Sequence, residues 1–279
     1  MRELKGASVA AAQQETTAKK IRMLAAKGVT PGLAIVRFSA DRAAQMYGDF
    51  LAKSAAQAGL YVERVEPEEN LTQEDALATI HALNQNPQID GILLLMPLPP
   101  GLDRSSLVEA IAPGKDIDGL TPTQVGRLVT GRTAFVPATA RAVLATLRHY
   151  EIPLAGKHAV VIGRSDVIGK PVAQLLLAAN ATVTICHSKT QDLPHFTRAA
   201  DILVAAVGKA MMVTPDMVRD DAVVVDVGIH RVDGKTVGDV APEALAKAQV
   251  ATPVPGGIGS VTTALMLDAA VTAALRHHP

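Results

Sequence analysis

From residue 31 onward, short apolar blocks alternate with longer stretches in which apolar residues recur every three or four positions. The blocks predict strands over 33–38, 60–65 and 89–96, and the stretches predict helices over 42–58 and 73–84. The block at 89–96 runs into Pro97-Leu98-Pro99-Pro100, which cannot continue the interior of a sheet. A short helix over 107–112 and a polar loop over 113–119 then close a first α/β domain. A helix over 137–150 and a turn over 152–157 lead into a second alternation, with strands over 158–162, 182–186, 202–206 and 222–227 separated by helices. The run over 261–277 is helical again and is expected to cross back to the first domain.

The segment from His158 to Pro171 carries the strongest local signal. Its first five residues are short, β-branched and largely apolar, as suits a central parallel strand. Gly163 frees the backbone to turn, and helical periodicity over 167–177 follows. A helix N-terminus offers unpaired N–H groups and the positive end of its dipole to an anion, so the turn is a candidate phosphate cradle. Gly163 and Gly169 stand six positions apart with bulkier residues between them, unlike the common dinucleotide fingerprint, and the same pattern also serves as an ordinary strand-to-helix connection. The fold class expected is α/β: one domain from residues 1–119 and 261–279, the other a Rossmann-type unit over 137–250.

Composition narrows the partners. Lys+Arg and Asp+Glu each number 27, so the chain is neutral and offers no electrostatic case for nucleic acid or an anionic membrane surface. A small-molecule partner is expected instead. No apolar run is read as reaching the ~18–20 residues of a membrane span, and the first twenty residues lack a signal-peptide core, so a soluble, cytoplasmic protein is expected. The single cysteine, Cys186, excludes an internal disulfide. Eight scattered histidines lack metal-ligand spacing, so no metal site is predicted.

The end of the second Rossmann strand bears on the cofactor. An NAD site usually places a carboxylate there, about 20 positions after the glycine turn. Here the chain reads Cys186-His187-Ser188-Lys189, without a carboxylate. A hydroxyl and cations suit a 2′-phosphate, so NADP is favoured, with Ser188 and Arg164 as phosphate partners. His187 and Lys189 are equally readable as solvated loop residues.

Taken in order, Asp90-Gly-Ile-Leu93, Lys115-Asp-Ile-Asp-Gly119, Gly163-Arg-Ser165 with Gly169-Lys-Pro171, Cys186-His-Ser-Lys-Thr190, Asp226-Val-Gly-Ile229 and Thr252-Pro-Val-Pro-Gly-Gly257 resemble the bifunctional methylenetetrahydrofolate dehydrogenase/cyclohydrolase family. The resemblance implies a homodimer in which two α/β domains flank a cleft, with NADP and a tetrahydrofolate one-carbon substrate on its walls. It implies that Gly163, Arg164, Ser165, Ser188 and Ile229 bind cofactor. Tyr47 would stack on the folate, Asp118 would bind its pterin, and Pro255, Gly256 and Gly257 would complete the substrate wall. A carboxylate suits a 2-amino-4-oxopyrimidine because it accepts two parallel N–H bonds.

The family's catalytic helix carries Tyr-x-x-x-Lys, and the lysine falls here on Leu51. The family's Val-Gln-Leu-Pro reads Leu94-Leu95-Met96-Pro97, so its glutamine falls on Leu95. Lys53 lies about 200° around the helix from Leu51 and is no substitute without a bulge. Ala138, Ala140, Ala142 and Ser260 are further departures along the expected cleft wall. Hydride transfer from a methylene bridge needs alignment but no general base, whereas hydrolysis of the methenyl product needs proton movement. The expected activity is therefore NADP-dependent oxidation of 5,10-methylenetetrahydrofolate with little or no cyclohydrolase. Three alternatives stay open: a modified folate or other cyclic imine as substrate, a non-catalytic nucleotide-binding paralogue, and ordinary bifunctionality using Lys53 or Asp49.

Overall fold

The computed structural model describes residues 1–66 and 70–279. In chain order the first elements are β1 (Arg2–Glu3), α1 (Gly6–Ala25), β2 (Gly32–Val36), α2 (Arg42–Gln57), β3 (Tyr61–Val65), α3 (Gln73–Gln85), β4 (Gly91–Leu94), α4 (Arg104–Ala110), α5 (Pro122–Val129) and α6 (Ala138–His149). There follow β5 (His158–Ile162), α7 (Gly169–Ala178), β6 (Thr182–Cys186), α8 (Leu193–Thr197), β7 (Ile202–Ala205), β8 (Val223–Asp226), β9 (His230–Val232), β10 (Lys235–Val237), α9 (Pro242–Lys247), β11 (Val250–Ala251) and α10 (Ile258–His277). Two compact units divide the chain: Gln13–Val136 with Met266–Pro279, and Met1–Ala12 with Pro137–Leu265.

The first of these units holds a three-stranded parallel sheet in the order β3-β2-β4. Every residue of β2 is buried, and Ala34 pairs in register with Glu63 on one side and Ile92 on the other. Apolar residues of α3 and α4, among them Ile80, Leu83 and Leu107, cover the sheet. Because the chain leaves β2 for one neighbour and returns to the other, the carboxyl ends of β2 and β4 form a switch point, where open α/β sheets leave a crevice. Asp41 starts α2 there, accepting the Ala44 N–H at 2.8 Å.

The second unit holds a six-stranded sheet in the order β1-β11-β8-β7-β5-β6, parallel throughout. Its inner strands bury residues such as Val160, Leu203 and Val224, in keeping with near-continuous apolar runs. Here too β5 sits between its two successors, so a second switch point lies where β5 and β7 end.

The structure departs from the sequence pattern in identifiable places. The first twelve residues pack with the six-stranded unit, whereas the pattern places them with residues 13–119; Arg2 and Glu3 pair with Val250 and Ala251, a two-residue contact with no apolar signature. Helix α1 is unannounced because only Val9, Thr17 and Leu24 of its inward side are large enough to show and they do not form a full stripe. The hairpin β9–β10 turns at Asp233-Gly234, both in the left-handed region. Helix α10 corrects the expectation about apolar runs: it has 20 residues and holds an 18-residue window of mean hydropathy 1.6, long and apolar enough by composition to span a bilayer. Yet 67% of that window is buried within the chain, and Asp268 takes Lys20 at 2.6 Å, as suits a core helix.

Candidate active site

The glycine turn is built by close backbone approach. Gly163 has φ +129°, and a Cβ there would stand 2.2 Å from the Ala206 carbonyl oxygen at the end of β7. A Cβ on Gly169 would stand 2.2 Å from the carbonyl oxygen of Gly163 itself. Only glycine permits this packing, which lets the N-terminus of α7 reach the turn. Ser165 Oγ accepts the Ile168 and Gly169 N–H groups at 3.1 and 3.3 Å, closing the start of the helix. Arg164 and Ser165 remain exposed at the switch point, as a phosphate cradle requires.

Beside this turn, β6 ends in a tight loop. The His187 N–H donates to Thr190 Oγ1 at 2.9 Å and the Lys189 N–H to His187 Nδ1 at 3.1 Å, leaving Ser188 exposed between them. No carboxylate stands at the tip of this loop, so its residue types fit a phosphorylated ribose.

Ile229, after β8, is 63% exposed and lines a cavity of about 160 Å³ together with Pro255, Gly256 and Gly257. The structure thus brings together, in one unit, a residue expected to touch cofactor and three expected to touch substrate. Asp226 closes the floor of this region. Its buried carboxyl is pushed up by desolvation, while N–H donors from Val240, Asp239 and Gly228 pull it back down.

The other unit carries Tyr47, Leu51, Leu95 and Asp118. Helix α2 is unbroken from Arg42 to Gln57, so Tyr47 and Leu51 share a face and no bulge turns Lys53 toward it. Leu51 is fully buried and Lys53 is exposed. Asp49 pairs with Arg64 at 2.5 Å on the surface. Leu95 follows β4 at the switch point, its N–H donating to the Val36 carbonyl at 2.8 Å and its side chain buried. Gly48 lets α2 approach, since a Cβ there would meet Leu95 Cδ1 at 3.0 Å and Ile35 Cγ2 at 3.7 Å. The helix face beside Tyr47 therefore meets the sheet through hydrocarbon.

Tyr47 is half-buried, and its phenol is pushed up to about 12, first by desolvation and then by the negative charge of Asp118. That coupling places Asp118 near Tyr47. The loop bearing Asp118 is fixed by groups the sequence pattern did not single out. Asp116 bridges to Ile92 of β4, and its carboxylate accepts the Leu120 and Thr121 N–H groups at 3.2 and 2.7 Å. Gln124, buried on α5, donates to the Pro113 carbonyl at 2.5 Å and accepts the Phe135 N–H at 2.8 Å. Thr121-Pro122 is an N-cap followed by a proline at the first helical position, a signal that announces α5 and hence Gln124. The arrangement presents a carboxylate and a neutral phenol beside an apolar floor.

Comparison with known proteins accords with both halves. The description "Tetrahydrofolate dehydrogenase/cyclohydrolase, catalytic domain" matches residues 4–118, and the NAD(P)-binding domain of the same family matches residues 137–278. The bifunctional protein FolD of Nocardia farcinica is 46% identical over 276 residues, 98% of each chain. The crystal structure of the bifunctional FolD methylenetetrahydrofolate dehydrogenase/cyclohydrolase from Campylobacter jejuni superposes with a TM-score of 0.96 at 39% identity, covering 99% of both chains. The methylenetetrahydrofolate dehydrogenase-cyclohydrolase of Trypanosoma brucei, solved with NADP cofactor and inhibitor, superposes at 0.91 with 36% identity, covering 98% of this chain and 96% of that one.

Proposed function

The chain belongs to the tetrahydrofolate dehydrogenase/cyclohydrolase family, and on that premise we propose that it oxidises 5,10-methylenetetrahydrofolate to 5,10-methenyltetrahydrofolate with NADP and hydrolyses that product little or not at all. The observation that carries this reading is the pair Leu51 and Leu95. Both are buried leucines, one on an unbroken helix and the other directly after β4, where the family pattern expects a lysine and its glutamine partner.

NADP, when bound, supplies a hydride acceptor at nicotinamide C4, and Gly163, Arg164, Ser165, Ser188 and Ile229 are the residues that would hold it. In the folate half, Asp118 accepts paired N–H bonds from the pyrimidine edge, and Tyr47 offers a flat apolar surface. The neutral phenol of Tyr47 adds no charge to the site. On the dinucleotide-binding unit, Pro255, Gly256 and Gly257 are the residues that would also touch substrate. Hydride departure leaves a cation and moves no proton, so these positioning roles suffice.

Hydrolysis asks for more: a water must be deprotonated and a tetrahedral intermediate must break down. Two leucines offer neither acid nor base and exclude water from their side of the pocket. Replacing an ammonium by hydrocarbon also removes repulsion toward the developing methenyl cation, worth ~4 kcal/mol at 4 Å for an effective dielectric near 20 before solvation is counted.

The test is to supply 5,10-methylenetetrahydrofolate with NADP and, separately, NAD, and to follow nucleotide reduction together with the one-carbon product. The reading expects preference for NADP and accumulation of the methenyl compound. No hydride transfer to either nucleotide contradicts it, and turnover only with a modified folate or another cyclic imine moves the assignment to that substrate.

A further inference from the structure

We infer that Asp239 is a positioning residue for dinucleotide binding, its carboxylate setting the loops after β7 and β8 with His230 as partner. This rests on the NADP reading of the same unit. Asp239 is fully buried. Its Oδ2 accepts the N–H groups of Val207 and Gly208 at 2.6 and 3.0 Å, and its Oδ1 accepts the Lys209 N–H at 3.0 Å. Nε2 of His230 lies 2.7 Å from the same Oδ1. Three successive backbone donors on one carboxylate form a nest, and Gly208, at φ +72°, supplies the left-handed step that such a curl needs.

The main chain of Asp239 is tied in turn to the end of β8. The Asp239 N–H donates to Asp226 Oδ1 at 2.9 Å, and the same oxygen accepts the Gly228 N–H at 2.9 Å. The two acids are packed so closely against backbone that side chains are excluded between them: a Cβ on Gly228 would meet Asp239 Oδ1 at 2.4 Å, and one on Gly238 would meet Asp226 Oδ2 at 1.9 Å. Ile229 is therefore held between two anchored neighbours, Gly228 and His230.

Location gives the arrangement its function. Loop 207–209 begins one residue after Ala206, whose carbonyl packs against Gly163 and whose N–H donates to Ile162 at 2.9 Å. Both loops leave the carboxyl ends of parallel strands, at and beside the switch point where a dinucleotide lies. A buried carboxylate is costly unless partnered, and this one takes three N–H groups of the loop after β7 and the imidazole of His230, where the loop after β8 enters β9.

The test compares Asp239→Asn, His230→Ala and His230→Gln in the full chain, measuring NADPH affinity and steady-state kinetics. An asparagine turns an N–H₂ group toward backbone donors, so Asp239→Asn is expected to raise the NADPH Kd and the KM for NADP about tenfold or more, with the KM for folate unchanged and kcat much less affected. His230→Ala is expected to raise the nucleotide KM about threefold or more, and His230→Gln, which keeps a donor, to recover most of it. A folded Asp239→Asn chain with ordinary nucleotide KM overturns the assignment, as does an equal loss in folate KM. Should that variant not fold, amide exchange decides: protection of 207–209 in the nucleotide-free native chain supports preformed loops, and rapid exchange there overturns them. A native chain that binds no NADPH instead defeats the functional reading.

Discussion

Gly48 and Leu95 meet across the floor of the folate half, with the Leu95 Cδ1 standing where a Cβ on Gly48 would lie only 3.0 Å away. This contact leaves no room for a hydrated polar group at position 95. Leu95→Gln alone is therefore expected to destabilise the chain by about 1–3 kcal/mol, the cost of burying an amide without a partner. Urea unfolding measures it; an unchanged midpoint contradicts the dry floor.

Leu51→Lys places an ammonium at a fully buried position and is expected to cost about 3–5 kcal/mol. The double variant with Leu95→Gln should cost less than the sum, by about 0.5–3 kcal/mol, because each new polar group becomes a partner for the other. Strict additivity in a double-mutant cycle contradicts that coupling.

Tyr47 makes a pH prediction. With its folded pKa near 12 and the unfolded value near 10, the native state holds the proton longer, so this group's stabilising contribution is complete below about pH 10 and is lost as pH rises toward 12. Tyr47→Phe should abolish that part of the alkaline loss, seen as a shallower fall in Tm between pH 10 and 12. It should also remove the tyrosinate absorbance step near pH 12, and a step removed near pH 10 instead contradicts the assignment.

Gln124→Leu strips partners from two backbone groups, the Pro113 carbonyl and the Phe135 N–H. A loss of about 2–4 kcal/mol is expected, with a raised KM for folate because the Asp118 loop loosens. Unchanged nucleotide KM in the same assay separates this effect from general damage.

Gly163→Ala drives a Cβ into the Ala206 carbonyl at a backbone angle unfavourable to alanine. Nucleotide affinity should fall at least about tenfold, with stability reduced by more than about 2 kcal/mol. Isothermal titration on the variant that still folds reads the first effect directly, and native affinity contradicts the role of the turn.

Much of this was legible because both sheets are parallel and buried. Their strands read as apolar blocks, and the turn at Gly163 declares itself through glycine and helical periodicity. Leu51 and Leu95 were singled out through the family resemblance, and helix spacing added only that Tyr47 and Leu51 share a face, as the unbroken α2 shows. What escaped the pattern depends on hydrogen bonds to backbone: Gln124 and Asp116 steady Asp118, and Asp239 steadies Val207 to Lys209, without any periodic signature. Strand β1 escaped because two exposed polar residues pair through main chain only. Asp233-Gly234 and Thr121-Pro122 are local turn and helix-start signals for the hairpin and for α5 that the reading of apolar periodicity passed over.

The most direct measurement is the rate at which the purified chain hydrolyses 5,10-methenyltetrahydrofolate above the buffer rate, taken beside its rate of NADP reduction with the methylene compound. Ready reduction is expected, with hydrolysis at or near the buffer rate, and with hydrolysis rising when Leu51→Lys and Leu95→Gln are combined. Efficient hydrolysis by the unaltered chain, with Leu51 and Leu95 in place, would contradict it.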